Sequence, residues 1–161
     1  MKFLKLFLVV AVFFSGSLFA QTQQSPQQLL KSVADTLFAD IAQVNAKGDA
    51  SKEDMFNIVE QRLMPHIDIK FVAFKLLGKH IKGIEREQAV NFIDAVDHYL
   101  TGTYAGALMK YTGQKVVFEQ DNALSDSQYA TVKTQIIEAN APTINLHFKL
   151  RLGKDEQWKV Y

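Results

Sequence analysis

The chain has 161 residues, of which 48% are hydrophobic, 22% charged and 11% aromatic, and it has no cysteine. That excludes a disulfide-stapled miniprotein, a zinc ribbon, a thiol enzyme and a disordered tail, and it sets the scale of a single globular domain. Lysine and arginine number 18 against 17 aspartates and glutamates, so the basic excess that phosphate-backbone binding requires is missing and nucleic acid is not an expected partner.

The first twenty residues read separately. Lys2 and Lys5 precede an apolar run from Leu6 to Phe14, and Ser15-Gly16-Ser17-Leu18-Phe19-Ala20 follows, which is the build of a secretory signal. Nine apolar residues are too few to span a bilayer, which takes about 20 in a helix. Cleavage after Ala20 is preferred; cleavage after Ser17 would satisfy the small-x-small rule through Ser15. With no cysteine behind the apolar run, the mature chain cannot be acylated there. Removing twenty residues of 161 leaves a single domain, residues 21–161, of 141 residues, expected outside the cytoplasm. A domain of that length buries roughly two-thirds of its unfolded surface.

Ser25-Pro26-Gln27-Gln28 opens a first helix, with a serine cap, proline at the first helical position and glutamine three residues on. Leu29, Leu30, Val33, Leu37, Ile41 and Val44 form its stripe, and Lys47-Gly48 ends it. Ser51-Lys52-Glu53-Asp54 starts a second helix, buried through Phe56, Val59 and Leu63 and stopped by Pro65. Asp68 caps a third, which carries Phe71, Val72, Phe74, Leu76 and Leu77 to Gly78. The fourth runs from about Glu85 to Lys110, with Ala89, Phe92, Ile93, Val96, Leu100, Thr103 and Ala107 on its apolar face.

After Gly113 the period falls to two. Thr143 to Leu152 alternates throughout, with Ile144, Leu146, Phe148, Leu150 and Leu152 on one face and Asn145, His147, Lys149 and Arg151 on the other. Lys115 to Glu119, Ala130 to Glu138 and Trp158 to Tyr161 are shorter strands, separated by turns at Asp121-Asn122, Asn140-Ala141-Pro142 and Gly153-Lys154-Asp155. Helices first and strands after predict an α+β fold, four or five helices packed on one side of a curled antiparallel sheet.

His66, His80, His98 and His147 lack metal-site spacing, so no metal is expected. Asp94, Asp97 and His98 share a side of the fourth helix opposite its apolar stripe. No nucleophile elbow, phosphate loop or dinucleotide fingerprint occurs, so neither catalytic residues nor a cofactor are assigned. The unusual segment is Tyr99 to Tyr111, where Gly102 and Gly106 each cost about 1 kcal/mol relative to alanine in a helix interior. The cost implies either close backbone packing or space left for something else. The tyrosines Tyr99, Tyr104 and Tyr111 suit an apolar pocket with a wet rim or, equally, an ordinary aromatic core. The face Ile144, Leu146, Phe148, Leu150 is expected opposite this helix, and any cavity between them would hold hydrocarbon.

Leu63-Met-Pro65-His-Ile-Asp-Ile-Lys-Phe71, then Leu77-Gly78-Lys79, the Tyr99–Tyr111 segment running into Thr112-Gly113-Gln114, Val132-Lys-Thr-Gln-Ile136, and Trp158-Lys-Val-Tyr161 resemble, in order and spacing, the MlaC family of periplasmic phospholipid carriers, the toluene-tolerance family of Gram-negative bacteria. The resemblance covers the chain from Ser25 onward. It implies a helix-rich relative of the NTF2-like cone, with acyl chains between sheet and helices. It also implies a monomeric shuttle between an outer-membrane lipoprotein complex and an inner-membrane ABC transporter that maintains outer-membrane lipid asymmetry. Family chains continue past the final strand with a further strand and helix, so the 161 residues are expected to be C-terminally incomplete; the loop Glu119 to Gln128 carries no family mark. On this reading the acyl chains meet Phe71, Phe74, Val96, Leu100, Tyr104, Leu108, Ile144, Leu146, Phe148 and Trp158. The rivals are an enzyme on an NTF2-like cone, with Asp94 or Asp97 working against Tyr104, and a periplasmic adaptor that carries no ligand.

Overall fold

The computed structural model describes residues 24–119 and 128–161. The secretory signal and the centre of the Glu119–Gln128 loop, with its Asp121-Asn122 turn, lie outside the described residues.

Four α-helices come first: α1 (Pro26–Ala46), α2 (Lys52–Arg62), α3 (Ile69–Leu77) and α4 (Arg86–Leu108). Short 3-10 turns at Met64–His66 and Gly78–Gly83 flank α3. Both serine caps close as reciprocal boxes: Ser25 Oγ accepts from the Gln28 amide at 3.2 Å while Gln28 Oε1 accepts from the Ser25 amide at 3.1 Å. Ser51 and Asp54 repeat the exchange at 3.1 and 2.9 Å, satisfying N–H groups that a helix start leaves free. Pro65 does not itself end α2, which stops at Arg62; it sits inside the following 3-10 turn, where a missing N–H costs nothing.

The sheet is a meander in the order β1 (Lys115–Phe118), β2 (Tyr129–Ile137), β3 (Ile144–Leu152), β4 (Trp158–Val160), all neighbours antiparallel. These bounds agree with the sequence expectation to within a residue or two. The hairpins need left-handed backbone at Asn140 (φ 67°) and Glu156 (φ 59°).

The core divides in two. Leu37, Ile41, Met55, Val59, Met64, Ile67 and Ala105 form a helical cluster, and Leu30, Val132 and Leu150 form a second between α1 and the sheet; Val160 packs against both. Two readings of the helix faces change. Met55, 1% exposed, is the deep anchor of α2 beside Val59, while Phe56 and Leu63 are only half-buried. In the second half of α4, Thr101 and Ala105 are buried and Thr103 and Ala107 exposed. The physical reason is that α4 packs on both α2 and α3, so no single stripe serves its whole length. Nor is α4 the helix laid on the sheet: α1 occupies that place through Leu29 and Leu30.

His66 joins the two layers' electrostatics. Burial, and then the charge of Lys159, hold its imidazole below the ordinary histidine value, so the fold favours the neutral ring. The unfolded chain takes up that proton first, and stability is lost as pH falls through about 6.5. A melting series from about pH 7 to about pH 5.5 is expected to show a smaller loss of melting temperature in His66→Gln than in the wild type.

Candidate functional site

The register assigns every strand residue to a face. Towards the helices, Val116, Ile136 and Ile144 form one cross-strand row; Phe118, Thr134 and Leu146 the next; then Val132 with Phe148, Ala130 with Leu150 and Val160, and Leu152 with Trp158. Apart from Thr134 this face is hydrocarbon and aromatic ring. Its burial is graded: Leu150 is 0% exposed, Leu146 and Phe148 are half-buried, and Ile144 is 55% exposed. The helices therefore cover it at the β4 end and leave its Ile144 end open.

Thr134 is the exception within that face. It is 2% exposed and its Oγ1 makes no hydrogen bond. A buried donor without a partner costs about 1–3 kcal/mol, and the pairing of Thr134 with Leu146 and Phe118 offers it only apolar neighbours.

The ten residues named from the sequence fall into distinct settings. Phe148 and Trp158 pack against the sheet cluster, and Leu100 and Leu108 against the helical one. Val96 is buried on α4. Leu146 and Ile144 continue the apolar face to its open end. Tyr104 is 38% exposed, yet burial pushes its phenol above the ordinary tyrosine value, so the hydroxyl is shielded while part of the residue meets water. Phe74 lies under Lys70, 5.7 Å from Nζ. Phe71 takes the Arg151 guanidinium at 4.2 Å over one ring and the edge of Tyr161 at 5.1 Å, a cation–aromatic cluster beside β4.

The three tyrosines of α4 and its end separate likewise. Tyr111 stacks on Phe38 at 4.3 Å and belongs to the helical core, whereas Tyr99 is 70% exposed. The glycines decide between the two explanations of their cost: a Cβ at Gly102 or Gly106 would meet nothing within 4 Å. Close packing is excluded, and open space borders both positions. Asp94 and Asp97 are exposed, so neither has the desolvated setting that makes a carboxyl an acid catalyst at neutral pH. Among the described residues no group of three metal-ligating side chains converges.

Sequence reasoning missed Val116 and Ile136, which continue the row of Ile144; the alternation of Val132, Thr134 and Ile136 held the signal. It also missed Ile67, whose pairing with Val160 depends on residues far apart in the chain.

The arrangement defines a class before it defines a family: an α+β half-barrel whose inward sheet face is apolar and only partly covered by its helices. A family model described as MlaC protein matches residues 31–161. The intermembrane phospholipid transport system binding protein MlaC of Haemophilus influenzae is 32% identical over 158 residues, 96% of this chain and 72% of that one. Among solved structures, the phospholipid-binding protein from Ralstonia solanacearum, in complex with a phospholipid, matches with a TM-score of 0.71 at 26% identity, over 84% of this chain and 74% of that one. The chain belongs to the MlaC family, as its motifs suggested, and its helices on a curled antiparallel sheet are that family's fold. None of the described helices is long and apolar enough to cross a membrane.

Two substitutions check the geometry. Gly102→Ala or Gly106→Ala is expected to raise unfolding free energy by up to about 1 kcal/mol, since helix propensity improves and nothing is struck. Thr134→Val, which replaces an unpaired hydroxyl with a methyl of similar size, is expected to stabilise by about 1 kcal/mol or more. Urea melts of the three variants measure both.

Proposed function

We propose that this protein is a soluble periplasmic carrier of phospholipid, which exchanges its cargo between an outer-membrane lipoprotein complex and an inner-membrane ABC transporter and so maintains outer-membrane lipid asymmetry. The observation that carries the reading is the apolar inward face left uncovered towards Ile144, on the fold of a family whose solved relative holds a phospholipid. Each CH₂ moved out of water is worth about 0.8 kcal/mol, so two long acyl chains amount to on the order of 20 kcal/mol. That barrier keeps monomeric lipid from diffusing through water. A protein that shields the chains removes it by shape and burial alone, with no reaction.

The acyl chains are assigned to the open part of the face, Ile144 and Leu146, with Tyr104 at the wet rim. Phe148, Leu100, Leu108, Val96 and Trp158 form the walls that these residues extend, and Phe74 stands on α3 at the β4 side, while the Phe71 ring meets the outward-facing Arg151 rather than the inward face. No catalytic residue, metal or cofactor enters this function. The exposure of Asp94 and Asp97 speaks against the enzyme reading, and the names of the relatives are those of binding proteins.

Native mass spectrometry after detergent-free purification from a Gram-negative host tests the proposal. Bound phospholipid of mixed headgroups is expected, because hydrocarbon is gripped and the heads are not. Only unliganded protein would overturn it. Leu146→Asp and the milder Ile144→Asp should lose the lipid, since an unpaired charge beside hydrocarbon costs several kcal/mol. Asn145→Ala on the opposite face should retain it, with stability within about 0.5 kcal/mol of wild type.

A further inference from the structure

The same register that gathers the apolar side chains on one face gathers every cation of the sheet on the other. Lys115, Lys133, Lys149, Arg151 and Lys159 all point outward with His147, and the four strands contain no carboxylate. Helices α1, α2 and α4 carry eight carboxylates against four cations, whereas α3 and the 3-10 turn after it, at the β4 side, add Lys70, Lys75, Lys79 and Lys82 with no carboxylate. Glu119 and Glu138 stand just beyond strand ends, and Asp68 meets Arg151 at 3.5 Å from beside β4. In a domain of nearly zero net charge the outward face of the sheet is therefore cationic.

Holding these cations together is unfavourable for the free protein. Arg151 and Lys159 are direct cross-strand partners, Lys133 faces His147 and lies diagonal to Lys149, and like charges so placed repel. A partner that neutralises them recovers that cost. The array runs the length of the sheet: strands lie about 4.8 Å apart and alternate residues of β3 repeat about every 6.7 Å, so Lys115 and Lys159, at opposite corners of the register, stand roughly 30 Å apart. At the β4 side it is bordered by Lys75, whose Nζ lies 4.6 Å over the Tyr161 ring. Tyr129, also on the outward face, is 56% exposed.

We propose that the outward face of the sheet is a docking surface for an anionic bilayer. Cations without intervening carboxylates fit a field of identical negative headgroups better than a shaped acidic epitope, and the tyrosines at the border suit the interfacial layer. This contact is separate from the cargo face, which lies on the other side of the same strands, and it stands whether or not the cargo proposal holds. It would bring a lipid-handling domain to a membrane surface without anchoring it, because the attraction is screened over about 8 Å at physiological salt.

Vesicle co-sedimentation of the purified protein tests it. The wild type is expected to sediment with phosphatidylcholine vesicles containing one-third phosphatidylglycerol, to remain in solution with phosphatidylcholine alone, and to be released by added salt. Each neutralised cation should weaken binding roughly fivefold, so Lys133→Gln, Lys149→Gln and Lys159→Gln combined should lose on the order of 100-fold. Asp94→Asn with Asp97→Asn, on the helical side, should not weaken binding. A thermal melt and the lipid content of the same samples separate docking from folding and from cargo. The proposal is overturned if the folded wild type ignores the anionic vesicles, if the triple variant binds them equally, or if polyglutamate binds in a cation-dependent way while the vesicles do not.

Discussion

Asp68 is the point on which the relation of helices to sheet depends. Its amide N–H donates to the Val160 carbonyl at 2.8 Å, its Oδ1 accepts from the Phe71 amide at 3.0 Å to cap α3, and its Oδ2 lies 3.5 Å from Arg151. With Ile67 bridging in parallel to Val160, one short stretch fixes the start of α3 and docks it on the β4 edge. Because β4 is the last strand of a meander, the sheet's position follows from that contact, and so does the end at which its inward face is closed. A half-buried ion pair at 3.5 Å contributes modestly by itself; the backbone bond and the cap, which satisfy groups otherwise stranded at an edge, do more.

From that fixed edge the inward face grades from closed to open. Leu150 and Val160 sit against the helices, α1 covers Val132, and beyond Leu146 the cover thins until Ile144 meets solvent. Gly102 and Gly106 on α4 bear their conformational cost beside space that no side chain fills. A protein selected for stability alone would place alanine there. Thr134, unpaired within the covered part, shows that the covered region too is short of its stability optimum.

The two faces of the sheet divide the chemistry by the simplest rule in the structure, the two-residue period of a strand. Leu146, Phe148 and Leu150 must lie opposite His147, Lys149 and Arg151 once β3 is extended. Apolar burial fixes which set turns inward, and the cations are then assembled outside whatever their mutual repulsion. Arg151 partly escapes it by lying over Phe71 and near Asp68.

Local chemistry made much of this legible from the chain. Ser25, Ser51 and Asp68 announced helix starts because a cap needs only its neighbours, and β3 announced its faces because alternation is local. The Leu63–Phe71, Tyr99–Gln114 and Trp158–Tyr161 motifs pointed to the family. What the sequence left open depends on contacts between distant residues. The choice of Thr101 and Ala105 over Thr103 and Ala107 was made by α4 packing on two helices at once. Laying α1 rather than α4 on the sheet, and drawing Phe71 to Arg151 and Tyr161, were likewise tertiary decisions. Helical and strand periods state which residues share a side; only the packed partners, set by burial across the whole chain, decide which side is covered and which is left open.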